Sequence, residues 1–292
     1  MKDFNAFFQG YDVELNDKEI AELTARLLEE KSQVNTPPEI YKQCFNSIDL
    51  TSLNTADNVT NIRNMVEKVN AFSIIFPDIP SVAAICVYPN FAGVVHDTLT
   101  VPVLVAAVSA GFPSSQTFVE VKVAETSLAV HEGASEIDVV ISVGAFLNKQ
   151  YEDVFDELVE IKAACRHAHL KVILETGTLK QAAEIKKASL LAMEAGADFI
   201  KTSTGKTNPA STPEAAYVMC TAIKEFYQKT GRKVGFKPAG GIVTPADAIV
   251  YYTIVKEILG NEWLNNQLFR LGASRLANNL LTAIYDKEVT YF

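Results

Sequence analysis

Phe199-Ile200-Lys201-Thr202-Ser203-Thr204-Gly205-Lys206 is a stretch in which one lysine follows a short apolar run. The apolar run is typical of a buried strand. A lone charge inside such a strand is costly unless it is paired or neutralised. The polar loop that follows Lys201 could hold an anion. We therefore take this stretch as the end of a buried strand and ask what surrounds it.

A second stretch, Val234-Gly235-Phe236-Lys237-Pro238-Ala239-Gly240-Gly241, repeats the same pattern of one lysine followed by small residues. Two inward lysines on nearby strands would repel each other, and burial also disfavours the charged form, so one would lose its proton. A neutral lysine is an amine nucleophile that can form a Schiff base with a carbonyl compound. Alternatively, each lysine could extend from its strand end to solvent. The presence of two such lysines, each before a glycine-containing loop, favours a catalytic role over this alternative.

Short apolar strands alternate with amphipathic helices on both sides of these stretches, which indicates βα units and a parallel sheet. The predicted strands are residues 45–50, 82–88, 102–109, 136–142, 171–176, 199–204, 234–239 and 268–273. The predicted helices between and after them are residues 56–72, 116–132, 151–167, 179–195, 212–229, 245–259 and 275–285. Only the gap at residues 90–100 is short.

Eight such units predict an α/β fold, a (β/α)₈ TIM barrel. An open doubly wound sheet is the alternative, but its phosphate-binding glycines normally follow the first strand. Here the glycines follow the last three strands. We assign residues 41–286 to the barrel, residues 1–40 to an N-terminal helical extension and residues 287–292 to a tail that we expect to be mobile.

The extension contains an amphipathic helix over residues 16–33, which Asn16 or Asp17 could cap. Residues 34–38 contain two prolines that should end it. We expect this extension to cover one end of the barrel or to form a subunit contact.

Composition excludes several classes of function. The formal charge of −9 over 292 residues argues against a nucleic-acid partner, because such proteins are usually basic. No apolar run approaches the roughly 20 residues needed to cross a membrane, and the start lacks the apolar core of a signal peptide. The four cysteines are widely spaced, which suits a reducing, cytoplasmic setting and gives no zinc motif. We expect no metal and no cofactor.

Barrel active sites lie at the carboxyl ends of the strands. Asp49, Cys86 and Asp138 come from the first, second and fourth strands, and Lys201 and Lys237 from the sixth and seventh. Asp138 is flanked by apolar residues, so it should face inward as a counter-ion for the lysines. A carboxylate beside two lysines is also suited to proton transfer at a carbonyl carbon.

Glycines follow the last three strands at Gly205, at Gly240 and Gly241, and at Gly272. Glycines let backbone N–H groups approach an anion closely. The loops after the seventh and eighth strands are the usual phosphate site of a barrel. The sequence therefore predicts a small phosphorylated carbonyl compound as the substrate.

Residues 43–285 resemble the deoxyribose-phosphate aldolase family of class I aldolases. The segments that carry the resemblance are Asp49-Leu50-Thr51, Ala83-Ala84-Ile85-Cys86-Val87-Tyr88-Pro89, Glu136-Ile137-Asp138-Val139-Val140, the two lysine stretches above, and Arg270-Leu271-Gly272-Ala273-Ser274.

The resemblance implies that Lys201 forms the Schiff base, with acetaldehyde or with deoxyribose 5-phosphate. Lys237 would lower the proton affinity of Lys201 and transfer protons with Asp138 through a water, while Asp49 would pair with Lys237. Thr204 would orient the substrate. The residues implied to hold the phosphate are Gly205, Lys206, Gly240, Gly241, Gly272 and Ser274. The resemblance further implies a cytoplasmic homodimer that acts in deoxynucleoside breakdown.

Three positions need separate comment. Members of the family often carry an arginine where Val243 stands, and we expect Arg275 to replace that cation. Cys86 matches a family cysteine near the site, but we favour the explanation that it is a buried strand residue over a catalytic role. Tyr291 is placed near the end of the chain, where some members have a tyrosine that enters the site.

Other functions stay open on the sequence alone. A Schiff-base aldolase for another phosphosugar, or a barrel that binds a sugar phosphate without catalysis, would carry many of the same features. A metal-dependent aldolase is disfavoured by the lack of a histidine cluster.

Overall fold

Eight parallel strands form one sheet in a computed structural model that describes residues 3–35 and 38–292. The strands are β1 (Ile48–Thr51), β2 (Ala84–Val87), β3 (Leu104–Ser109), β4 (Glu136–Val140), β5 (His169–Ile173), β6 (Phe199–Lys201), β7 (Gly235–Lys237) and β8 (Leu271–Ala273). Strands β1 to β7 pair in chain order, and β8 pairs with β1. Parallel bridges from Phe236 to Phe269 and from Ala239 to Gly272 join β7 to the β8 segment. The sheet is thus a barrel, and the predicted fold is confirmed.

Helices cover the outside of the barrel. Their bounds are α1 (Phe4–Gln9), α2 (Asp17–Lys31), α3 (Pro38–Asn46), α4 (Val59–Ile75), α5 (Ala92–Thr98), α6 (Val119–His131), α7 (Val143–Leu147), α8 (Tyr151–Cys165), α9 (Thr176–Leu179), α10 (Ala182–Glu194), α11 (Pro213–Thr230), α12 (Pro245–Leu259) and α13 (Leu276–Tyr285). The short gap after β2 holds α5.

The first strand begins later than the sequence pattern predicted. Residues 45 and 46 belong to α3, whose buried face includes Cys44 and Phe45. Phe45 stacks on Phe72 of α4, with ring centroids 4.9 Å apart. The apolar run that looked like a strand is therefore partly the core-facing stripe of a short helix, a confusion that short apolar runs invite.

The barrel interior has two chemically different sides. Small apolar residues of β2 and β3 form one side, with Ala84, Cys86 and Ala106 packed beside Val108 and Leu53. Buried charged residues of β1, β4, β5, β6 and β7 form the other. Small side chains on one side leave space for the long lysine side chains that cross from the other.

The N-terminal extension packs along the outside of the barrel. Asn16 caps α2 by accepting hydrogen bonds from the N–H groups of Lys18 and Glu19. Helix α2 contacts α11 and α12, and Asp17 accepts a 2.7 Å hydrogen bond from the N–H of Ala182 at the start of α10. The predicted proline break includes Thr36 and Pro37, which lie outside the described residues.

The C-terminal tail is packed against the barrel, although we expected it to be mobile. The Asn278 side chain accepts the N–H groups of Tyr291 and Phe292 and donates to the Phe292 carbonyl. The Tyr291 hydroxyl donates to the Lys68 carbonyl at 2.6 Å. Phe292 also stacks on Phe72. These contacts fix the aromatic end of the tail on α4 and α13.

None of the helices that the structure describes is long and apolar enough to cross a membrane.

Candidate active site

Two lysines stand side by side at the carboxyl ends of β6 and β7. Lys201 and Lys237 are paired in the register of the two strands. Both are buried, and each places its Nζ 2.7 Å from Oδ2 of Asp138 on β4. One carboxylate oxygen therefore accepts from both ammonium positions, because the side chains of β4, β6 and β7 meet in the interior of the barrel.

The two lysines belong to a larger buried charge cluster. Asp49 lies 2.5 Å from Lys237, 3.1 Å from Lys171 and 2.6 Å from Arg270. Glu136 pairs with Arg270 at 2.8 Å and also with Lys171. Four basic groups thus face three carboxylates, so the fully protonated cluster carries one excess positive charge. Loss of one proton from one lysine would make the cluster neutral.

The pKa shifts point to Lys201 as the group that loses this proton. Burial lowers the pKa of Lys201, and the neighbouring Lys237 cation lowers it further, against the opposing effect of Asp138. Burial would also lower the pKa of Lys237, but Asp138 and Asp49 together raise it above its ordinary value. A lysine beside one shared carboxylate and one cation is the easier of the two to deprotonate.

The carboxylates stay ionised despite their burial. Burial would raise the pKa of Asp138, but Lys201, Lys237 and Lys171 lower it below its ordinary value. The same competition, with Arg270 in place of Lys201, lowers the pKa of Asp49. The second oxygen of Asp138, Oδ1, lies 3.5 Å from Lys171 Nζ and has no hydrogen-bond partner in the described part of the chain. Asp138 therefore keeps a free lone pair for a proton.

A cavity of about 550 Å³ opens above Lys201. Lys201 is the member of the charge cluster that lines it, while Lys237, Asp138 and Asp49 lie beneath. The remaining lining residues that the sequence predicted for the site are Thr204, Gly205, Lys206, Gly240, Gly241, Gly272, Ser274 and Arg275. Residues that the sequence did not predict also line it, among them Leu53, Asn61, Asn64, Lys68, Asn278 and Phe292.

Glycines let the loops after β6, β7 and β8 approach each other. Gly205, Gly240 and Gly241 have φ of +74°, +85° and +81°, a region that favours glycine. A Cβ on Gly240 would lie 2.6 Å from the Ala210 Cβ, and one on Gly272 would lie 2.7 Å from the Ala239 Cβ. A larger residue at either position would push the loop walls apart.

Positive groups line this part of the cavity. Lys206 donates from Nζ to the carbonyl of Leu53, another lining residue, at 2.5 Å. Arg275 lies at the start of α13, and Lys68 projects from α4. In a protein of net charge −9, these local cations are what would attract an anionic substrate.

Thr204 and Cys86 differ from the sequence-based expectation in their surroundings. The Thr204 hydroxyl donates to Oε2 of Glu175 at 2.6 Å, and it accepts the Lys206 N–H at 3.0 Å. Cys86 is fully buried on β2 and does not line the cavity. Burial raises the pKa of its thiol. Tyr291 does not line the cavity either, although the adjacent Phe292 does.

Four buried charged residues of the site were missed as candidates: Glu136, Lys171, Glu175 and Arg270. Glu136 precedes Asp138 by two residues on the same strand, so both side chains point to the same face. Lys171 is a lone charge in an apolar strand, which is the signal that identified Lys201. The predicted strand 171–176 begins at Lys171, where a charge needs no explanation, whereas β5 begins two residues earlier and places Lys171 in its middle.

In the described part of the chain, no group of three or more His, Cys, Asp and Glu side chains is placed to hold a metal ion.

A closed barrel with a buried lysine of lowered pKa at the base of its cavity belongs to the class of barrels that can use an amine as nucleophile. The sequence profile of the family described as DeoC/LacD family aldolase matches residues 45–253. The chain therefore belongs to this family and is an aldolase.

Curated relatives agree with this assignment. Deoxyribose-phosphate aldolase of Homo sapiens is 43% identical over 250 residues, covering 82% of this chain and 78% of the human protein. The Bos taurus protein of the same name is 42% identical over the same coverage.

Solved structures share the barrel. One described as "QR15, an Aldolase" is 30% identical with a TM-score of 0.68, and the match covers 82% of this chain and 96% of that chain. The tetrameric deoxyribose phosphate aldolase from Aeropyrum pernix is 23% identical with a TM-score of 0.67, covering 88% of this chain and 97% of that one. This second likeness shows the fold alone.

Proposed function

We propose that this chain is a class I aldolase that reversibly cleaves 2-deoxy-D-ribose 5-phosphate to D-glyceraldehyde 3-phosphate and acetaldehyde. The observation that carries the proposal is that Lys201 lines the cavity while it shares Oδ2 of Asp138 with the buried Lys237, an arrangement that lowers the pKa of Lys201 and raises the pKa of Lys237. The printed names of the relatives above support the choice of substrate.

In the proposed reaction, the neutral Lys201 amine attacks C1 of the open-chain sugar, and loss of water gives an iminium ion. The C3 hydroxyl then loses its proton, the C2–C3 bond breaks, and its electrons move into the iminium to form an enamine. Glyceraldehyde 3-phosphate leaves. Protonation of the enamine at C2 and hydrolysis release acetaldehyde and regenerate Lys201. The iminium accepts the electrons, so the proposal includes no metal or cofactor.

Asp138 and Lys237 would move the protons. Asp138 Oδ2 is 2.7 Å from Lys201 Nζ, and its Oδ1 has a free lone pair, so it can accept a proton close to the reacting carbon through a water. Lys237 would keep Asp138 ionised and supply a proton in return. Asp49 would hold Lys237 in its charged form.

The phosphate would bind where the glycine loops meet. Gly205, Gly240, Gly241 and Gly272 of the loops after β6 and β7 and of β8 line the cavity, and Lys206, Ser274 and Arg275 line it as well. Val243 stands where family members often carry an arginine, and we assign that cation to Arg275.

Borohydride trapping with acetaldehyde, followed by peptide mass mapping, tests the chemistry. A reduced ethyl adduct on Lys201 is expected. Cleavage of 2-deoxy-D-ribose 5-phosphate, measured by acetaldehyde release, tests the substrate. An adduct without cleavage would indicate a Schiff-base aldolase for another phosphosugar, and no adduct on the folded protein would indicate a barrel that binds without this catalysis.

We also propose that the chain forms a homodimer and acts in the cytoplasm in deoxynucleoside breakdown. Exposed apolar side chains support a subunit contact: Phe118 just before α6, and Val121 and Leu128 within it. The four free cysteines suit a reducing compartment. Light scattering of the wild type and of Phe118→Glu tests the dimer: the variant should shift toward monomer. Fractionation of cells tests the location.

A further inference from the structure

Glu175 is a buried carboxylate that lies outside the charge cluster of the two lysines. It follows β5 and is 5% exposed. Its backbone has φ 56° and ψ 56°, the left-handed conformation that residues other than glycine adopt rarely. A charged residue with a strained backbone at the end of a barrel strand points to a functional role for its side chain.

Among the described residues, the carboxylate of Glu175 has its hydrogen-bond partners in Thr204 of the neighbouring loop. Its Oε1 accepts the Thr204 N–H at 3.1 Å, and its Oε2 accepts the Thr204 hydroxyl at 2.6 Å. The Thr204 oxygen in turn accepts the Lys206 N–H at 3.0 Å. Glu175 thus fixes the loop that begins three residues after Lys201 and continues into the proposed phosphate site.

These bonds also fix the direction of the Thr204 hydroxyl. An ionised carboxylate only accepts hydrogen bonds, so the hydroxyl proton must point at Glu175. Thr204 lines the cavity, and its hydroxyl oxygen has its proton committed to Glu175. It can accept a hydrogen bond from a ligand but cannot donate one.

We propose that Glu175 is a positioning residue that makes Thr204 a hydrogen-bond acceptor in the cavity. Resting on the proposed function, this gives Thr204 a defined role: it selects substrates that offer a hydroxyl group to it and disfavours those that present an oxygen without a proton. Acetaldehyde carries no hydroxyl group, so its reaction with Lys201 does not require this selection.

Glu175→Gln tests whether the carboxylate sets the direction of the Thr204 hydroxyl, because the amide has nearly the shape of the carboxylate. Thr204 offers two donors, its N–H and its hydroxyl, but Gln offers only one accepting oxygen beside a donating nitrogen. When the oxygen accepts the Thr204 N–H, the threonine hydroxyl must turn to accept from the nitrogen. We expect kcat/KM for 2-deoxy-D-ribose 5-phosphate to fall roughly ten- to hundredfold, the range for a lost bond to a charged group. Borohydride trapping of acetaldehyde on Lys201 should stay within about twofold of the wild type.

A double-mutant cycle with Thr204→Val shows whether Glu175 acts through Thr204. If it does, Glu175→Gln adds little to the loss caused by Thr204→Val, since residues that act as a unit are not additive. Additive losses, equal loss of acetaldehyde trapping, or wild-type kinetics in Glu175→Gln would each overturn the proposal.

Glu157→Gln is the matched control, because Glu157 is also a buried glutamate but pairs with Lys122 and Ser142 outside the cavity. It should leave kcat/KM unchanged.

Amide hydrogen exchange gives a readout that needs no activity. Glu175→Ala should speed exchange of the Thr204 amide, and unchanged exchange would contradict the role of Glu175 in fixing this loop. If the wild type forms no Lys201 adduct, the proposed function fails, and the exchange measurement still tests Glu175.

Discussion

The ends of β6 and β7 carry the same residue at the same level, yet the two lysines differ in character. Lys201 and Lys237 are register partners and both contact Oδ2 of Asp138. The pKa of Lys201 is lowered, whereas the pKa of Lys237 is raised. The strand pattern alone could not have distinguished them.

The difference comes from what lies on the other side of each lysine. Lys237 has a second carboxylate, Asp49, at 2.5 Å, and it lies beneath the cavity. Lys201 lines the cavity and pairs with one carboxylate, Asp138, among the residues that the structure describes. One additional carboxylate is therefore enough to make one lysine a fixed cation and to leave the other as the candidate nucleophile.

The largest expected effect separates the two lysines directly. Lys201→Leu should reduce cleavage by roughly four orders of magnitude or more, as loss of a covalent nucleophile does, and should abolish the borohydride adduct. Lys237→Leu should keep an adduct on Lys201. Peptide mapping of both variants measures this. An adduct on Lys237 in the wild type would reverse the assignment.

Lys237→Leu should also shift the pH dependence. The Lys237 cation lowers the pKa of Lys201, so its removal should raise that pKa. Asp138 would then pair with Lys201 alone, which should raise the pKa of Lys201 as well. Because the neutral amine reacts, the rate rises with pH through the pKa of Lys201, and the rising limb should move to higher pH. We expect a loss of roughly a hundredfold near neutral pH. The pH profile of acetaldehyde trapping measures the shift, and an unchanged midpoint would contradict the electrostatic account.

Asp49→Asn should make the two lysines more alike. It removes the carboxylate that distinguishes Lys237 from Lys201, and it leaves the positive charges of Lys171 and Arg270 with less negative charge beside them. Breaking a buried ion pair from one side should lower the free energy of unfolding by about 3 kcal/mol, which denaturant titration measures.

The pH dependence of that loss follows from the pKa of Asp49. Because the folded-state pKa is depressed, the carboxylate contributes stability above its unfolded-state pKa of about 4 and loses it as pH falls. The wild type and Asp49→Asn should therefore differ most at neutral pH and converge under acid conditions. A constant difference down to low pH would show that Asp49 acts through packing and not through its charge.

The sequence predicted the barrel well because each strand leaves a local signal. Val, Ile and Ala runs interrupted by helices of regular period mark the units, and a lone lysine in such a run is conspicuous. Glu175 left no comparable signal. Its role depends on a contact with Thr204, 29 residues away, and on a left-handed backbone conformation that a glutamate in the sequence does not predict.

The charge cluster was only partly predictable for the same reason. Asp138 and the two lysines stand out as charges in apolar strands. Arg270 lies just before β8, and its contact with Asp49 spans 221 residues. Only closure of the barrel brings the first and last strands together, so the pairing cannot be read from local pattern.

The smallest expected effect separates the lysine chemistry from substrate binding in the loops. Arg275 lines the cavity and has no part in the charge cluster, so Arg275→Ala should leave acetaldehyde trapping on Lys201 unchanged. It should raise KM for the phosphorylated substrate by roughly tenfold, the effect of one exposed charge-assisted contact with phosphate. Lys287→Ala, which removes a cation outside the cavity, is the control. Equal losses on both substrates would show that Arg275 supports the barrel end and does not replace the cation missing at Val243.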